Sequence, residues 1–238
     1  MNKHSRQGFT LMETLLAIAV VAVLLTTFLA VFGPATSSIS RAISVQDADR
    51  LASALEKELS TLREDEAGQY DTAFDKAFEW ISSSSSLDSA VLLFNYRGDT
   101  GQITDGKLEP YTQDNGSPGK DYLVQSAVRR LGSSSTDLEN LMEAVEGRAF
   151  VVRMRQLVRD SNGGLTASDA GSGLVSTSGS GASSASSFDD AVIAFQADFY
   201  LLPANSYNYV SGPLASGGND FEGTLGEPLF SRAMAVRR

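Results

Sequence analysis

Gly8-Phe9-Thr10-Leu11-Met12-Glu13 leads directly into residues 15–32, and this stretch decides how the rest of the chain is read. Residues 15–32 are Leu, Ile, Val, Phe and Ala, interrupted only by Thr26 and Thr27. Eighteen residues at a helical rise of 1.5 Å span about 27 Å, close to the hydrocarbon thickness of a bilayer. Twelve of them are Leu, Ile, Val or Phe. Together these favour insertion by about 4 to 7 kcal/mol. No charge occurs between Glu13 and Arg41, while Lys3 and Arg6 precede the run. The positive-inside rule therefore puts the N-terminus in the cytoplasm and the remainder outside. Two generic segments share these features. A secretory signal peptide would be cut at small residues after the run, within 30–35. An ordinary signal anchor would have no use for Glu13, whose carboxylate costs insertion energy unless it is paired.

The hexapeptide adds a more specific reading. A short basic leader, then Gly8-Phe9-Thr10-Leu11-Met12-Glu13, then a long apolar run resembles the class III signal of type IV prepilins and type II secretion pseudopilins. The resemblance covers roughly residues 1–35. It implies that a prepilin peptidase cuts between Gly8 and Phe9 on the cytoplasmic side. Gly8 suits such a cut, since a residue without a side chain lets the backbone enter a narrow cleft. It further implies that Phe9 becomes the N-methylated terminus. Glu13 would pair with the Phe9 amine of a neighbouring subunit, removing much of the cost of burying its charge. Cleavage removes the two positive charges of Lys3 and Arg6, taking the formal charge from −10 to −12 before the new amine is counted. The implied partners are the peptidase, other pilin or pseudopilin subunits, an inner-membrane assembly platform and membrane lipid.

Downstream of the run, Pro34 is read as a kink in a long helix, with a helix break as the alternative. Ile39, Ile43, Ala48, Leu51, Leu55, Leu59 and Leu62 recur at helical spacing, with charged residues between them. If the helix runs from Phe9 to about Asp65, it is roughly 85 Å long. Residues 71–82 predict a second short helix with Phe74, Phe78 and Ile81 on one face. A polar break at 82–86 follows. Strands are predicted at 90–96, ended by Gly98-Asp99, and at 122–131, where helix is also possible. Thr136-Asp137-Leu138-Glu139 reads as a capping box opening a helix to Val145. Further strands are predicted at 148–159, 191–202 and 229–236. Residues 97–120 are rich in turn formers. Residues 161–187 are mostly Gly, Ser and Ala, which cannot offset their ordering entropy, and predict a flexible loop.

The expected class is α+β: a long N-terminal helix, transmembrane in its first half and amphipathic in its second, packed on an antiparallel sheet. The expected division is a leader at 1–8, a transmembrane and assembly helix at 9–33, the amphipathic half of the stem at 34–66, and an extracytoplasmic head at 67–238.

The chain has 238 residues, no cysteine, and a single histidine, His4, inside the leader. A mature chain therefore offers no thiolate or imidazole for a metal or for nucleophilic catalysis. No G-x-S-x-G elbow or Walker loop occurs. The net charge of −10 argues against nucleic-acid wrapping. Catalytic residues, metal and cofactor are all expected to be none. Carboxylate groups at Asp47 and Asp49, 64–66, and Asp189-Asp190 read as solvated surface. Asp160-Ser161-Asn162-Gly163 and Asn219-Asp220 with Glu222 offer oxygens for calcium without the EF-hand spacing. Tyr207, Tyr209 and Phe221 offer a recognition surface on loops, with core packing or a solvent-facing loop as the expected reading.

The expected function is a structural subunit, a minor pilin or pseudopilin of a type IV pilus or type II secretion pseudopilus. It would be stored as a single-pass inner-membrane protein with a periplasmic head. The alternatives are a membrane-anchored extracytoplasmic binding protein with no filament role, and a membrane-tethered enzyme.

Overall fold

The computed structural model describes residues 10–63, 66–104, 107–132, 135–168 and 184–238. The chain divides into two units, Met1–Ile43 and Ser44–Arg238. Helix α1 (Leu11–Leu59) contributes to both.

In the first unit α1 exposes its apolar side chains on every side, from Leu11 to Ile43. The helix continues through Pro34, so the proline does not end it. Proline cannot donate to the carbonyl one turn back. Hydroxyls crowd around this position. Thr36 Oγ1 donates to Gly33 O at 2.9 Å, and Ser37 and Ser38 each donate to Pro34 O at 2.9 Å. Short polar side chains thus fold back onto helix carbonyls rather than standing free.

In the second unit the last turns of α1 bury one face through Ala48, Leu51, Ala52, Leu55 and Leu59. The helix ends at Leu59, earlier than its apolar stripe predicts. Ser60 Oγ then turns back onto Glu56 O at 2.9 Å. Helix α2 (Ala73–Ser83) begins at Thr72, whose hydroxyl accepts from Asp75 N at 3.1 Å as an N-cap.

An ion cluster ties α2 to the end of α1. Lys76, fully buried, places Nζ 2.7 Å from Glu58 Oε1 and 2.7 Å from Glu66 Oε2. It also donates to Thr61 O at 3.3 Å and lies over the Trp80 ring at 5.0 Å. Arg63 bridges to the second oxygen of Glu58. Glu66 is therefore a partner in a buried cluster and not the solvated residue that its acidic neighbourhood predicts.

Among the described residues seven strands form one antiparallel sheet. They are β1 (Val91–Thr104), β2 (Lys107–Pro110), β3 (Tyr122–Arg130), β4 (Val145–Arg159), β5 (Leu165–Ala167), β6 (Val192–Leu201) and β7 (Phe230–Arg237). Strands β1, β4, β6 and β7 follow one another across the sheet. Gly98 pairs with Pro110 of β2 and with Leu123 of β3, so β2 and β3 flank β1 on opposite edges.

Both faces of the sheet are covered. Leu93, Val152 and Phe199 pack with Leu55, Phe74 and Phe78 in one core. Leu92, Val151 and Tyr200 pack in a second core. There they meet Leu138 and Met142 of helix α3 (Ser135–Glu143), together with Val210, Leu214 and Phe221. The last three belong to short helical turns after β6, Val210–Leu214 and α5 (Phe221–Leu225), which follow α4 (Tyr207–Tyr209). The sequence predicts a helical layer on one face only. The unbroken run Val91-Leu92-Leu93-Phe94, buried at all four positions, carries the missed signal. Strands covered on both faces read as continuous apolar runs.

Four local differences from the sequence reading follow, the first two with plain causes. Strand β1 passes through Gly98 instead of stopping there, because the glycine marks a close approach. A Cβ at Gly98 would lie 2.7 Å from Leu108 Cβ. Ser84, predicted in a polar break, is fully buried. Its hydroxyl accepts from Met154 N at 2.8 Å and lies 2.9 Å from Met154 O. Met154 sits between Val152, paired with β1, and Leu157, paired with β5, and Ser84 occupies that gap in the ladder. Helix α3 begins at Ser135, one residue before the predicted cap Thr136. Of the predicted loop at 161–187, residues 165–167 form β5 and Ala185–Ser187 a single helical turn. Residues 169–183 lie outside the described residues.

Candidate functional site

The sequence places the site at the N-terminus, where Thr10 starts the helix. Thr10 Oγ1 accepts from Glu13 N at 3.3 Å, and Thr10 O accepts from Glu13 N at 3.0 Å and Thr14 N at 3.2 Å. Thr-x-x-Glu is the composition of an N-terminal cap, and it sets Glu13 in the first turn of α1. A carboxylate there also complements the positive end of the helix dipole. Glu13 is exposed, as are the apolar side chains that follow it. Gly8 and Phe9 lie outside the described residues.

Beyond Glu13 the helix has little polar chemistry to hide. Thr26 Oγ1 donates to Ala22 O at 2.8 Å, and Thr27 Oγ1 donates to Val23 O at 2.9 Å. Both hydroxyls are satisfied within the helix, as an apolar surrounding requires. Phe28 and Phe32 stack at 3.9 Å. Among the described residues, α1 is the one helix long and apolar enough to cross a membrane. Its apolar window has no buried residue. Along this apolar stretch, Leu11 to Ile43, no side chain is buried against the described residues. Its composition calls for lipid or other helices around it.

The second unit holds the other candidates. Asp47 lies 3.5 Å from Arg148, and Asp49 lies 3.3 Å from Arg232. Asp189 and Asp190 are exposed. Two of the carboxylates considered for calcium serve backbone amides. Asp160 Oδ1 accepts from Asn162 N at 2.9 Å and Gly164 N at 2.7 Å, and Asp220 Oδ1 accepts from Gly223 N at 2.8 Å to cap α5. Among the described residues no group of three or more His, Asp or Glu is placed to hold a metal ion. Phe221 is buried against Tyr200, with ring centroids 5.4 Å apart, while Tyr207 and Tyr209 are half-buried beside the same core.

Sequence reasoning missed the polar cluster around Asp198. This carboxylate is buried and accepts from Arg155 Nη2 at 2.7 Å, Gln196 Nε2 at 2.6 Å and Ser231 Oγ at 2.5 Å. It bonds β4, β6 and β7 side by side. A charged residue inside the apolar run of β6 was the available signal. Burial pushes the Tyr200 phenol above its ordinary value of 10.0, against the opposing pull of the Arg153 hydrogen bond.

The fold and the site define a chain with an exposed apolar N-terminal helix followed by an α+β sheet unit. Residues 3–29 match the family described as the prokaryotic N-terminal methylation motif. No curated protein and no solved structure matches the chain. The motif is the class III signal and is consistent with the type IV pilin-like family, and the α+β layout fits a pilin-like fold. It implies a prepilin-like precursor that a peptidase processes and that assembles with other pilin subunits. The same motif, with the apolar helix, points to membrane anchoring and to a structural subunit rather than an enzyme.

Proposed function

We propose that this chain is a minor pilin or pseudopilin, a low-copy subunit of a type IV pilus or type II secretion pseudopilus. The observation that carries the reading is the methylation motif ending in a helix whose apolar side chains are exposed all round. Before assembly, lipid covers that helix. In the filament, the helices of neighbouring subunits take the place of lipid.

In this reading residues 1–8 are a leader, and the peptidase cuts between Gly8 and Phe9. Phe9 carries the new, N-methylated amine. Residues 9–33 are the transmembrane and assembly helix, residues 34–66 the amphipathic half of the stem, and residues 67–238 the periplasmic head. Glu13 supplies the assembly contact. Alone in hydrocarbon its charge is costly, whereas the Phe9 ammonium of the next subunit offers a partner of opposite sign. One residue thereby opposes storage in the inner membrane and favours the filament. The chain carries no cysteine to staple a C-terminal loop, and its large head suits a subunit that primes or caps an assembly.

Intact mass of the protein purified from its own host tests this. The expected species lacks residues 1–8 and carries the mass of one added methylene at Phe9. A full-length chain in a host possessing the processing peptidase would overturn the proposal and favour a plain membrane-tethered binding protein.

A further inference from the structure

Strand β3 ends the sheet, and its outer edge has an unusual setting. Among the described residues β3 pairs with β1 alone. Leu131 N donates to Ala90 O at 2.9 Å, and Thr100 N donates to Asp121 O at 3.2 Å. The one-to-one register between these bonds fixes the alternation. Leu123, Gln125, Ala127 and Arg129 turn their main-chain groups towards β1, so Val124 and Ser126 turn theirs outward. The outward carbonyl of Val128 accepts from the Arg129 side chain at 3.0 Å.

This edge forms part of a groove. A cavity of about 1020 Å³ is lined by β3 from Gln125 to Arg129 and by Arg50, Ser53, Ala54 and Lys57 of α1. A second, of about 940 Å³, shares Val128 and Arg129 and continues past Arg130 and Leu131. Five cations line the first cavity: Arg50, Lys57, Arg63, Lys107 and Arg129. Its one carboxylate, Glu58, is held by Lys76 at 2.7 Å and by Arg63. The first cavity, beside α1, is thus basic on a chain of net charge −10, while the second is mixed, with Glu66, Asp88, Glu109 and Asp137 beside Arg129 and Arg130. Exposed edges are ordinarily blunted by proline, bulges or inward charges. The central part of β3 has none of these, and it exposes Leu123 at 45 % and Val124 at 52 %.

We propose that the outer edge of β3 receives an extended, acidic segment of another polypeptide as an added strand, with residues 50–57 of α1 as the wall beside it. Outward main-chain groups supply the hydrogen bonds and the basic lining selects the sign of the charge. Charge also argues against a second copy pairing through its other sheet edge, since β7 ends in Arg237 followed by Arg238. The inference rests on the folded sheet unit and holds whether or not the leader is cleaved.

The test uses the full chain in detergent micelles. The probe is a fluorescein-labelled, end-blocked octapeptide alternating Val and Glu, with an alternating Val and Lys peptide as control. Fluorescence anisotropy should show the Glu peptide binding at least about tenfold tighter than the Lys peptide. Arg50→Glu combined with Lys57→Glu should abolish that preference. Ser126→Pro removes an outward N–H and no bond to β1, and should weaken the Glu peptide by about tenfold. Amide exchange at Val124 and Ser126 of the unmutated chain should slow on peptide binding, which keeps the test sound if Ser126→Pro misfolds. Equal binding of both peptides, or unchanged exchange at Val124 and Ser126, would overturn the proposal. So would self-association lost in Ser126→Pro without any peptide binding, which would make a second copy the occupant.

Discussion

Lys76→Met should cost the sheet unit about 3–5 kcal/mol, the range for removing one partner of a buried ion pair. The residue is fully buried, and its ammonium sits 2.7 Å from each of two carboxylate oxygens. Methionine follows the lysine side chain as far as Cε and lacks only the ammonium, so packing is largely conserved and the loss is chiefly electrostatic. Glu58 keeps Arg63, and Glu66 keeps the Arg63 amide at 3.1 Å, but both lose their shared cation. Their side chains are 6 % and 18 % exposed, so water replaces little of what is lost. For a unit of this size each kcal/mol lowers Tm by about 2–4 °C, giving a drop of roughly 6–20 °C. Thermal unfolding followed by circular dichroism in detergent would measure it. The triple variant Lys76→Met, Glu58→Gln, Glu66→Gln should recover much of the loss, since the buried charges are then gone. A Lys76→Met chain within about 1 kcal/mol of the parent, a bound well under that range, would contradict a buried and dry ion cluster. It would mean that water reaches the cluster.

Ser84→Ala leaves both main-chain groups of Met154 without their partner and should cost about 1–3 kcal/mol, read from urea unfolding. Tyr70, Tyr96 and Tyr200 all have phenols raised above 10.0, chiefly by burial. A raised value in the fold favours the neutral form. The stability it lends is complete below pH 10.0 and is lost as pH climbs through the higher folded values. Phenolate absorbance should therefore show Tyr70, Tyr96 and Tyr200 ionising above pH 10.0, with the fold weakening as they do. Glu13→Ala should leave membrane insertion intact and abolish recovery in a sheared filament fraction. Equal recovery of variant and parent in that fraction would contradict the assembly role proposed for this carboxylate.

The anchor was legible because its signal is local. Residues 15–32 are apolar at every turn, so no partner need be known to see that they leave water, and Glu13 stands out against them. The strands at β4, β6 and β7 were legible for a similar reason. Covering of the second sheet face was not, because it depends on short turns between Tyr207 and Leu225 whose composition reads as loop. Only burial against Tyr200 and Val151 gives those turns a core.

What the sequence alone determined is thus the order of parts: a short basic stretch, an apolar helix with one acid at its start, an amphipathic continuation, and a strand-rich remainder. Tertiary structure decided which polar residues are buried and what they do there. Ser84 completes a ladder 70 residues away, and Lys76 reaches Glu58 across 18. Hydropathy is a property of each residue, whereas burial and pairing are relations between distant ones. The chain must fold before either relation exists.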